Sequence, residues 1–276
     1  MAKIAAFFDI DGTLIRGAST WYLARDLYSR GYFGLRSFAL AAWQSFLYQL
    51  LGESPERIES VKNHALNVVK GNLESDLALV GEELYDHFLQ ERLFPGMLKI
   101  IQRHLDSGHE VWLISATPQQ ISEQMAYRLG LTGSIGTVIE VDDSGRFTGN
   151  MPKSLMHGDT KATATTELAA QRGLDLKYCY AYSDSISDRP LLNLVGNPVA
   201  VNPDWKLRRL AKRSNWPIYD FAHRRPDIAI NARTRLLPGV FMGLGWTVQV
   251  LWRYVIRRLL ALPLATVKLV RKLWRS

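Results

Sequence analysis

The sequence has very little cysteine and no paired histidines at metal-binding spacing. Its 276 residues include a single cysteine, Cys179, and none of the six histidines belongs to an H-E-x-x-H motif. One cysteine cannot form an intrachain disulfide or supply a cluster of thiolate ligands. The sequence therefore excludes a disulfide-stapled secreted scaffold and a thiolate metal cluster. Cys179 lies in a predicted buried strand, where we expect it to be part of the core.

Acidic residues are almost missing from the last quarter of the chain. Residues 206–276 contain 16 Lys and Arg but only two acids, Asp220 and Asp227, whereas residues 1–205 contain 18 basic and 24 acidic residues. An acidic body followed by a basic tail indicates two parts with separate roles. Anionic lipid, nucleic acid and an acidic partner each fit the charge of the tail.

The N-terminus carries no long apolar run. The first apolar run, residues 4–8, is too short for the apolar region of a signal peptide and is followed at once by Asp9 and Asp11. We therefore expect the chain to begin as a mature cytoplasmic protein.

Short apolar runs alternate with helical patterns, which predicts an α/β fold with a doubly wound, mainly parallel, Rossmann-like sheet. The predicted strands are residues 4–8, 110–114, 178–182 and 199–201, and the predicted helices are residues 97–105, 122–129, 161–172 and 189–194.

Two segments interrupt this alternation. Residues 19–90 have an almost wholly helical pattern, and residues 138–148 have the pattern of a β-hairpin. We expect a catalytic core (1–15 and 95–222), an inserted all-helical cap (16–94) and a basic amphipathic tail (223–276).

A pair of carboxylates follows the first predicted strand, in the segment Asp9-Ile10-Asp11-Gly12-Thr13. Residues i and i+2 of an extended segment face the same way, so Asp9 and Asp11 leave the sheet edge side by side. Gly12 lets the chain turn with its amides facing an anion. Adjacent carboxylates repel each other and need a cation, and hard oxygen ligands suit Mg²⁺. Taken alone, the pair also fits a solvated acidic turn.

Three further segments favour a catalytic site over an acidic turn. Ser115 ends a second predicted strand, Lys161 begins a helix, and Asp184 and Asp188 follow a third strand. The carboxyl ends of parallel strands meet at one edge of the sheet. Together these residues offer a nucleophile, a phosphate-binding hydroxyl and cation, and metal ligands.

These four segments, in this order, resemble the haloacid-dehalogenase-type phosphatases. The resemblance covers residues 4 to about 222 and is strongest to the phosphoserine-phosphatase-like branch, whose helical cap is inserted after the first motif. It implies a Mg²⁺-dependent phosphomonoester hydrolase that works through an aspartyl-phosphate.

The resemblance also implies a role for each residue. Asp9 would attack phosphorus, and Asp11 would protonate the leaving oxygen and later activate water. Ser115 and Lys161, with Gly12 and Thr13 of the first motif, would bind and orient the phosphoryl group. Mg²⁺ would be held by Asp9, the main-chain carbonyl of Asp11 and Asp184, with Asp188 in support.

The substrate pocket departs from that branch. Phosphoserine phosphatases carry a Glu nine residues after the nucleophile, and this position is Ala18 here. The predicted cap is rich in aromatic and apolar residues that suit either its own core or an entrance for an apolar leaving group. They are Trp21, Tyr22, Tyr28, Tyr32, Phe33, Phe38, Trp43, Phe46, Leu47 and Tyr48.

The basic tail has the pattern of an interfacial helix. On a helical wheel of residues 250–275, cations such as Arg253, Arg257 and Arg271 occupy one face, and Leu and Trp residues occupy the other. This predicts binding of residues 236–276 to an anionic membrane, peripherally on the inner face of the cytoplasmic membrane. Docking of this helix on the acidic body and a single span over residues 236–252 are alternatives. Nucleic acid is disfavoured because the broad Leu/Trp face would have no role there.

Two alternative functions follow from these observations. A membrane-bound tail fits a phosphatase that acts on a phospholipid or lysophospholipid phosphate, rather than on a small phosphate ester. From another class, the chain fits a non-catalytic binding module recruited to membranes. Nothing in the sequence indicates an oligomeric state.

Overall fold

The computed structural model describes residues 2–31 and 55–221 of the chain. The chain divides into two units, Met1–Arg224 and Arg225–Ser276, and the second lies outside the described residues. The predictions for the aromatic residues between 32 and 54 and for the tail, including its amphipathic helix, lie outside them too. Within residues 2–31 and 55–221, no helix is long and apolar enough to cross a membrane.

The centre of the fold is a six-stranded parallel sheet with the strand order β3-β2-β1-β4-β5-β6. The strands are β1 (Ala5–Phe8), β2 (Glu110–Pro118), β3 (Gly133–Thr137), β4 (Tyr180–Ser183), β5 (Asn197–Val201) and β6 (Ile218–Tyr219). The order reverses between β1 and β4, and ligands bind outside the carboxyl ends of the strands at such a reversal. This confirms the predicted doubly wound α/β fold.

Helices connect and cover these strands. They are α1 (Ser19–Ser29), α2 (Pro55–Val69), α3 (Glu74–Leu84), α4 (Pro95–Asp106), α5 (Gln119–Arg128), α6 (Asp159–Arg172), α7 (Arg189–Leu194) and α8 (Trp205–Arg213). A π-helical turn (Tyr85–Leu89) and a 3₁₀ turn (Gln90–Arg92) follow α3 directly. Between β1 and β2 the described residues contain helices and no strand, as the helical pattern predicted.

The structure corrects several predicted boundaries. Strand β2 runs on to Pro118, and β3, β6 and α8 were not predicted. Strand β3 has the sequence GSIGT, in which Ile135 is the one large apolar residue, so there is no apolar run to predict a strand. In the predicted hairpin, the backbone N–H of Thr148 donates to Glu140, but only Val141 and Phe147 form a β-bridge. This segment therefore folds back as predicted without forming two full strands.

Strand β1 is buried on both faces, which explains its continuous apolar sequence. Ala6 and Phe8 pack into the cluster beneath α3 and α4, whereas Ala5 and Phe7 pack into the cluster on the opposite face. Cys179 belongs to this second cluster and its Sγ accepts the backbone N–H of Ala5 at 3.3 Å, as expected for a core cysteine.

The first aromatic residues of the predicted cap pack in its interior. Tyr22 is buried beside Leu23 and Leu27 of α1, and Trp21 packs against the same cluster. For these two residues the structure supports the interpretation that the aromatics form the core of the cap.

A buried polar group lies behind β4. His104 of α4 shares hydrogen bonds with the Tyr182 hydroxyl at 2.8 Å and with the ring of His109 at 2.9 Å. The Tyr182 ring stacks on Phe8 with 4.4 Å between the ring centres. Burial, with a smaller effect of His109, lowers the pKa of His104 to about 4. His104 is therefore neutral in the folded protein at neutral pH.

We expect the protein to lose stability on acidification because of this histidine. Below its ordinary pKa of 6.5, His104 takes up a proton in the unfolded chain but not in the folded one until about pH 4. From pH 7 to 4.5 the wild type should lose about 2–3 kcal/mol more unfolding free energy than His104→Gln. Urea denaturation at both pH values measures this difference. His87→Gln, at an exposed position, is the control, and an equal pH dependence in wild type and His104→Gln would contradict the prediction.

Candidate active site

The site begins where β1 ends. Asp9 is buried and its backbone N–H donates to the carbonyl of Tyr182 in β4 at 3.0 Å. The chain then turns sharply, since the N–H groups of Leu14 and Ile15 both donate to the carbonyl of Ile10. Asp9 therefore lies between the two central strands, at the carboxyl edge of the sheet.

Lys161 joins three elements at this edge. It stands near the start of α6 and is 3% exposed. Its Nζ donates to Asp9 Oδ1 at 2.6 Å and to Asp188 Oδ2 at 2.7 Å. The Ser183 hydroxyl, at the end of β4, donates to the same Asp188 oxygen at 2.7 Å. The structure therefore brings together three of the predicted residues, from segments 152 and 27 positions apart.

Asp11 contacts the first residue of α1, the first helix of the predicted cap. Its Oδ1 accepts the backbone N–H of Ser19 at 2.7 Å. Ala18, the residue before α1, makes no side-chain capping bond. The carboxylate of Asp11 instead accepts a hydrogen bond from one of the N–H groups that have no partner within the helix at its start. This contact fixes the Asp11 side chain and joins α1 to the turn after β1.

Ser115 lies within β2 and is 2% exposed. Its Oγ shares a hydrogen bond with Thr117 Oγ1 at 2.9 Å and accepts the Thr117 N–H at 3.2 Å. Thr117 Oγ1 also shares a hydrogen bond with Ser19 Oγ at 2.7 Å. The predicted phosphate-binding hydroxyl is therefore connected to the same Ser19 that holds Asp11.

The Gly12 turn packs against Asp184 so closely that no side chain fits. Gly12 has a φ of +74°, and a Cβ there would lie 2.0 Å from Asp184 Oδ2. Only glycine adopts this φ without strain and leaves room for the carboxylate. This packing places Asp184 directly beside the Asp9–Asp11 turn.

Two residues that sequence reasoning missed hold this arrangement in place. Asn202, after β5, donates from Nδ2 to the carbonyl of Gly12 at 2.9 Å. Asp204 donates its N–H to the carbonyl of Asp184 at 2.8 Å and accepts the N–H of Ile186 at 2.8 Å. Both follow a parallel strand at its carboxyl end, which is the signal that identified Ser115 and Asp184. Of the predicted residues, Thr13 is buried, and its hydroxyl makes no hydrogen bond to any residue that the structure describes.

The carboxylates have raised pKa values because the site is buried. Burial raises the pKa of Asp9 to about 7, against the lowering effect of Lys161. Burial also raises the pKa of Asp11, opposed by its hydrogen bonds to Ser19, and that of Asp184, with Asp9 adding to the shift. Burial lowers the pKa of Lys161, but Asp9 and Asp188 outweigh it and the net shift is upward. Lys161 is therefore charged, and the burial of several carboxyl groups beside this one ammonium favours their protonated forms.

The residues present fit a hard divalent cation. Burial raises the pKa of Asp184, and the negative charge of its neighbour Asp9 raises it further. Asp188 Oδ1 is a buried oxygen without a hydrogen-bond partner among the described residues. Among the described residues no three His, Cys, Asp or Glu side chains form a cluster that would hold a metal. Carboxylate oxygens are ligands that suit Mg²⁺.

Comparison with known proteins gives a consistent result. The family model of haloacid dehalogenase-like hydrolases matches residues 6–193. The chain is similar to phosphoserine phosphatase SerB1 of Mycobacterium tuberculosis, with 42% identity over 240 residues, which is 87% of this chain and 78% of that protein. It is 31% identical to histidinol-phosphatase of Neisseria meningitidis, over 79% of this chain and 99% of that protein. A solved protein of unknown function from Bordetella pertussis matches with a TM-score of 0.70 and 26% identity, over 80% and 100% of the two chains.

Removal of Lys161 should destabilise the protein strongly. Lys161→Met leaves Asp9 and Asp188 buried without their cation, and breaking a buried ion pair from one side costs about 3–5 kcal/mol. Urea denaturation at pH 7.5 in EDTA measures this loss, which should shrink at pH 5.5 because Asp9, whose pKa burial raises to about 7, is then protonated and no longer repels Asp188. Lys153→Met is the matched control, since its ion pair with Glu167 is exposed and should contribute less than about 1 kcal/mol. Equal losses in the two variants would contradict the prediction.

Proposed function

Because the chain belongs to the haloacid dehalogenase-like hydrolase family and is a phosphatase of the phosphoserine-phosphatase-like type, we propose that it hydrolyses phosphate monoesters through a phosphorylated Asp9. The observation that carries this proposal is the placement of Lys161 between Asp9 and Asp188, beside Asp11, at the carboxyl edge of the sheet. A cation at this place offsets the charge of a phosphoryl group that approaches Asp9.

In the first half of the reaction, a carboxylate oxygen of Asp9 attacks phosphorus and the ester P–O bond breaks. Asp11 gives its proton to the leaving alkoxide, and its raised pKa suits this role. In the second half, Asp11 takes a proton from water, the resulting hydroxide attacks phosphorus, and the bond to Asp9 breaks. Orthophosphate leaves, and both carboxylates return to their starting states.

The remaining residues bind and orient the phosphoryl group. Ser115 and Lys161 donate hydrogen bonds to its oxygens, and the Gly12–Thr13 turn supplies backbone amides. Asp9, the carbonyl of Asp11 and Asp184 would hold Mg²⁺, with Asp188 in support. Bound Mg²⁺ offsets the negative charge of the carboxylates and of the phosphoryl oxygens.

Two relatives indicate a substrate class. Their names specify phosphoserine and histidinol phosphate, and both compounds are phosphate esters of a primary alcohol with an amino group on the adjacent carbon. We propose small amino-alcohol phosphates of this kind as substrates. Ala18 offers no carboxylate for the amino group, so the position of that contact differs from the one expected for the phosphoserine phosphatases.

We expect Asp9→Asn to lose at least about a thousandfold in turnover of a generic aryl phosphate, because an amide is not a nucleophile. Phosphate release with and without Mg²⁺ measures this, and circular dichroism checks that the fold is intact. Asp143→Asn, an exposed acid in a turn, is the matched control. Full activity of Asp9→Asn would refute the mechanism.

A companion measurement separates the enzyme from a non-catalytic binding module. Beryllium fluoride with Mg²⁺ should bind the wild type but not Asp9→Asn, because only a competent carboxylate forms the acyl-phosphate mimic.

A panel of phosphoserine, histidinol phosphate and lysophosphatidic acid then ranks the substrates by kcat/KM. A preference for the lysolipid would overturn the proposal of a small amino-alcohol phosphate.

A second candidate is a lipid phosphate cleaved at a membrane surface. The described residues support it through α8, whose buried face is Leu207 and Ala211. Trp205 on its outer face is 70% exposed. The exposed cations of the same helix are Lys206, Arg209, Lys212 and Arg213. A Trp among cations suits an anionic lipid surface, and the chain continues from here into the predicted amphipathic tail.

We expect the full chain to bind vesicles that contain phosphatidylglycerol, and to lose part of this binding at high salt because surface charge is screened. Changing Arg253, Arg257, Arg271 and Arg275 to Glu should abolish vesicle binding and leave turnover of a soluble aryl phosphate unchanged. The control makes the same charge change on the body, at Lys70, Arg103, Lys153 and Lys177. A wild-type chain that stays in the supernatant during vesicle sedimentation would rule out the membrane-bound alternative.

A further inference from the structure

Three buried hydroxyl groups form a chain of hydrogen bonds beside the site. Ser19 Oγ lies 2.7 Å from Thr117 Oγ1, which lies 2.9 Å from Ser115 Oγ. Ser19 and Thr117 are fully buried and Ser115 nearly so. We call these three residues the hydroxyl chain. It links the first residue of α1 with the predicted phosphate-binding residue of β2.

The direction of these hydrogen bonds follows from counting protons. Each hydroxyl has one proton to donate. If Ser115 uses its own for a phosphoryl oxygen, the proton between Ser115 and Thr117 must come from Thr117. Thr117 then has to accept the proton of Ser19 at its other side. The order that serves phosphate binding is therefore Ser19 to Thr117 to Ser115 to phosphate.

Ser19 can bind Asp11 and donate a hydrogen bond into the hydroxyl chain at the same time. Its backbone N–H donates to Asp11 Oδ1 at 2.7 Å, so the carboxylate keeps this contact when the single hydroxyl proton of Ser19 is donated to Thr117 rather than to Asp11. One residue thus contacts the group that would move the proton and, through Thr117, the group that would hold the phosphoryl oxygen.

We propose that Ser19 and Thr117 are positioning residues for phosphate binding, which direct the Ser115 hydroxyl at the phosphoryl group. This inference rests on the proposed function and extends it to two residues that do not themselves touch the substrate. It also makes the start of the predicted cap part of the phosphate site. We therefore expect the Ser115 hydroxyl to be oriented toward phosphate only when the first turn of α1 is formed.

Thr117 offers a matched pair of substitutions. Thr117→Val keeps the shape of the side chain but removes the hydroxyl, and Thr117→Ser keeps the hydroxyl but removes the methyl group. Ser19→Ala removes the other end of the chain and keeps the backbone N–H that binds Asp11. Ser122→Ala is the control, because Ser122 is also fully buried and its hydroxyl bonds to Gln119 and Ser134 instead.

The readout is the Kd of orthophosphate with Mg²⁺, measured by calorimetry on the full chain, together with kcat/KM for an aryl phosphate. We expect Thr117→Val and Ser19→Ala each to raise Kd and lower kcat/KM about tenfold, the effect of one lost hydrogen bond to a charged ligand. Thr117→Ser and Ser122→Ala should stay within about twofold of wild type. The double variant Ser19→Ala/Thr117→Val should be no worse than either single variant, because both break the same chain.

Wild-type affinity in folded Thr117→Val and Ser19→Ala would overturn the positioning role. Equal weakening by Thr117→Ser and Thr117→Val would also overturn it, since shape and not the hydroxyl would then matter. If Thr117→Val fails to fold, the comparison of Kd and kcat/KM between Ser19→Ala and Ser122→Ala tests the positioning role instead. Orthophosphate binding that depends on the hydroxyl chain in a protein without turnover would support this inference and refute the hydrolase mechanism. A wild type with neither binding nor turnover would refute both.

Discussion

The paired hydrogen bonds of Lys161 to Asp9 and Asp188 are the interaction on which the site depends. They join α6 to β1 and to the loop after β4, so that three distant segments meet within 2.7 Å contacts. Burying a lone cation or a lone carboxylate costs folding free energy. The cost is offset only when the opposite charges are buried in contact with each other. The positions of these three side chains at the sheet edge therefore depend on the pairing of their charges.

The remaining carboxylates, Asp11 and Asp184, have raised pKa values chiefly because they are buried. One ammonium donates to two carboxylates, Asp9 and Asp188, and in the described part of the chain neither Asp11 nor Asp184 forms an ion pair. The protein instead holds these groups through backbone contacts, with the N–H of Ser19 on Asp11 and the missing side chain of Gly12 beside Asp184.

Much of this arrangement is visible in the sequence because it follows from the geometry of parallel sheets. Polar residues at the ends of buried apolar runs had to meet at one edge, which correctly placed Asp9, Lys161 and Asp188 together. The contacts of Ser19 with Asp11 and of Asn202 with Gly12 were not predictable in this way. They depend on where a helix starts and how a loop turns, and neither leaves a periodic signal. Strand β3 was missed because Ile135 is its one large apolar residue, and the short β6 because two residues form no pattern.

Asn202 connects the chain after β6 to the turn after β1. Its Nδ2 holds the carbonyl of Gly12, and its Oδ1 accepts the N–H of Phe221 at 2.7 Å, the last residue that the structure describes. The backbone at Phe221, whose ring also packs on Phe94, is therefore linked through the Asn202 side chain to the turn that carries Asp9 and Asp11. One amide side chain thus couples the conformation of the chain after β6 to that of the turn at the carboxyl edge of the sheet.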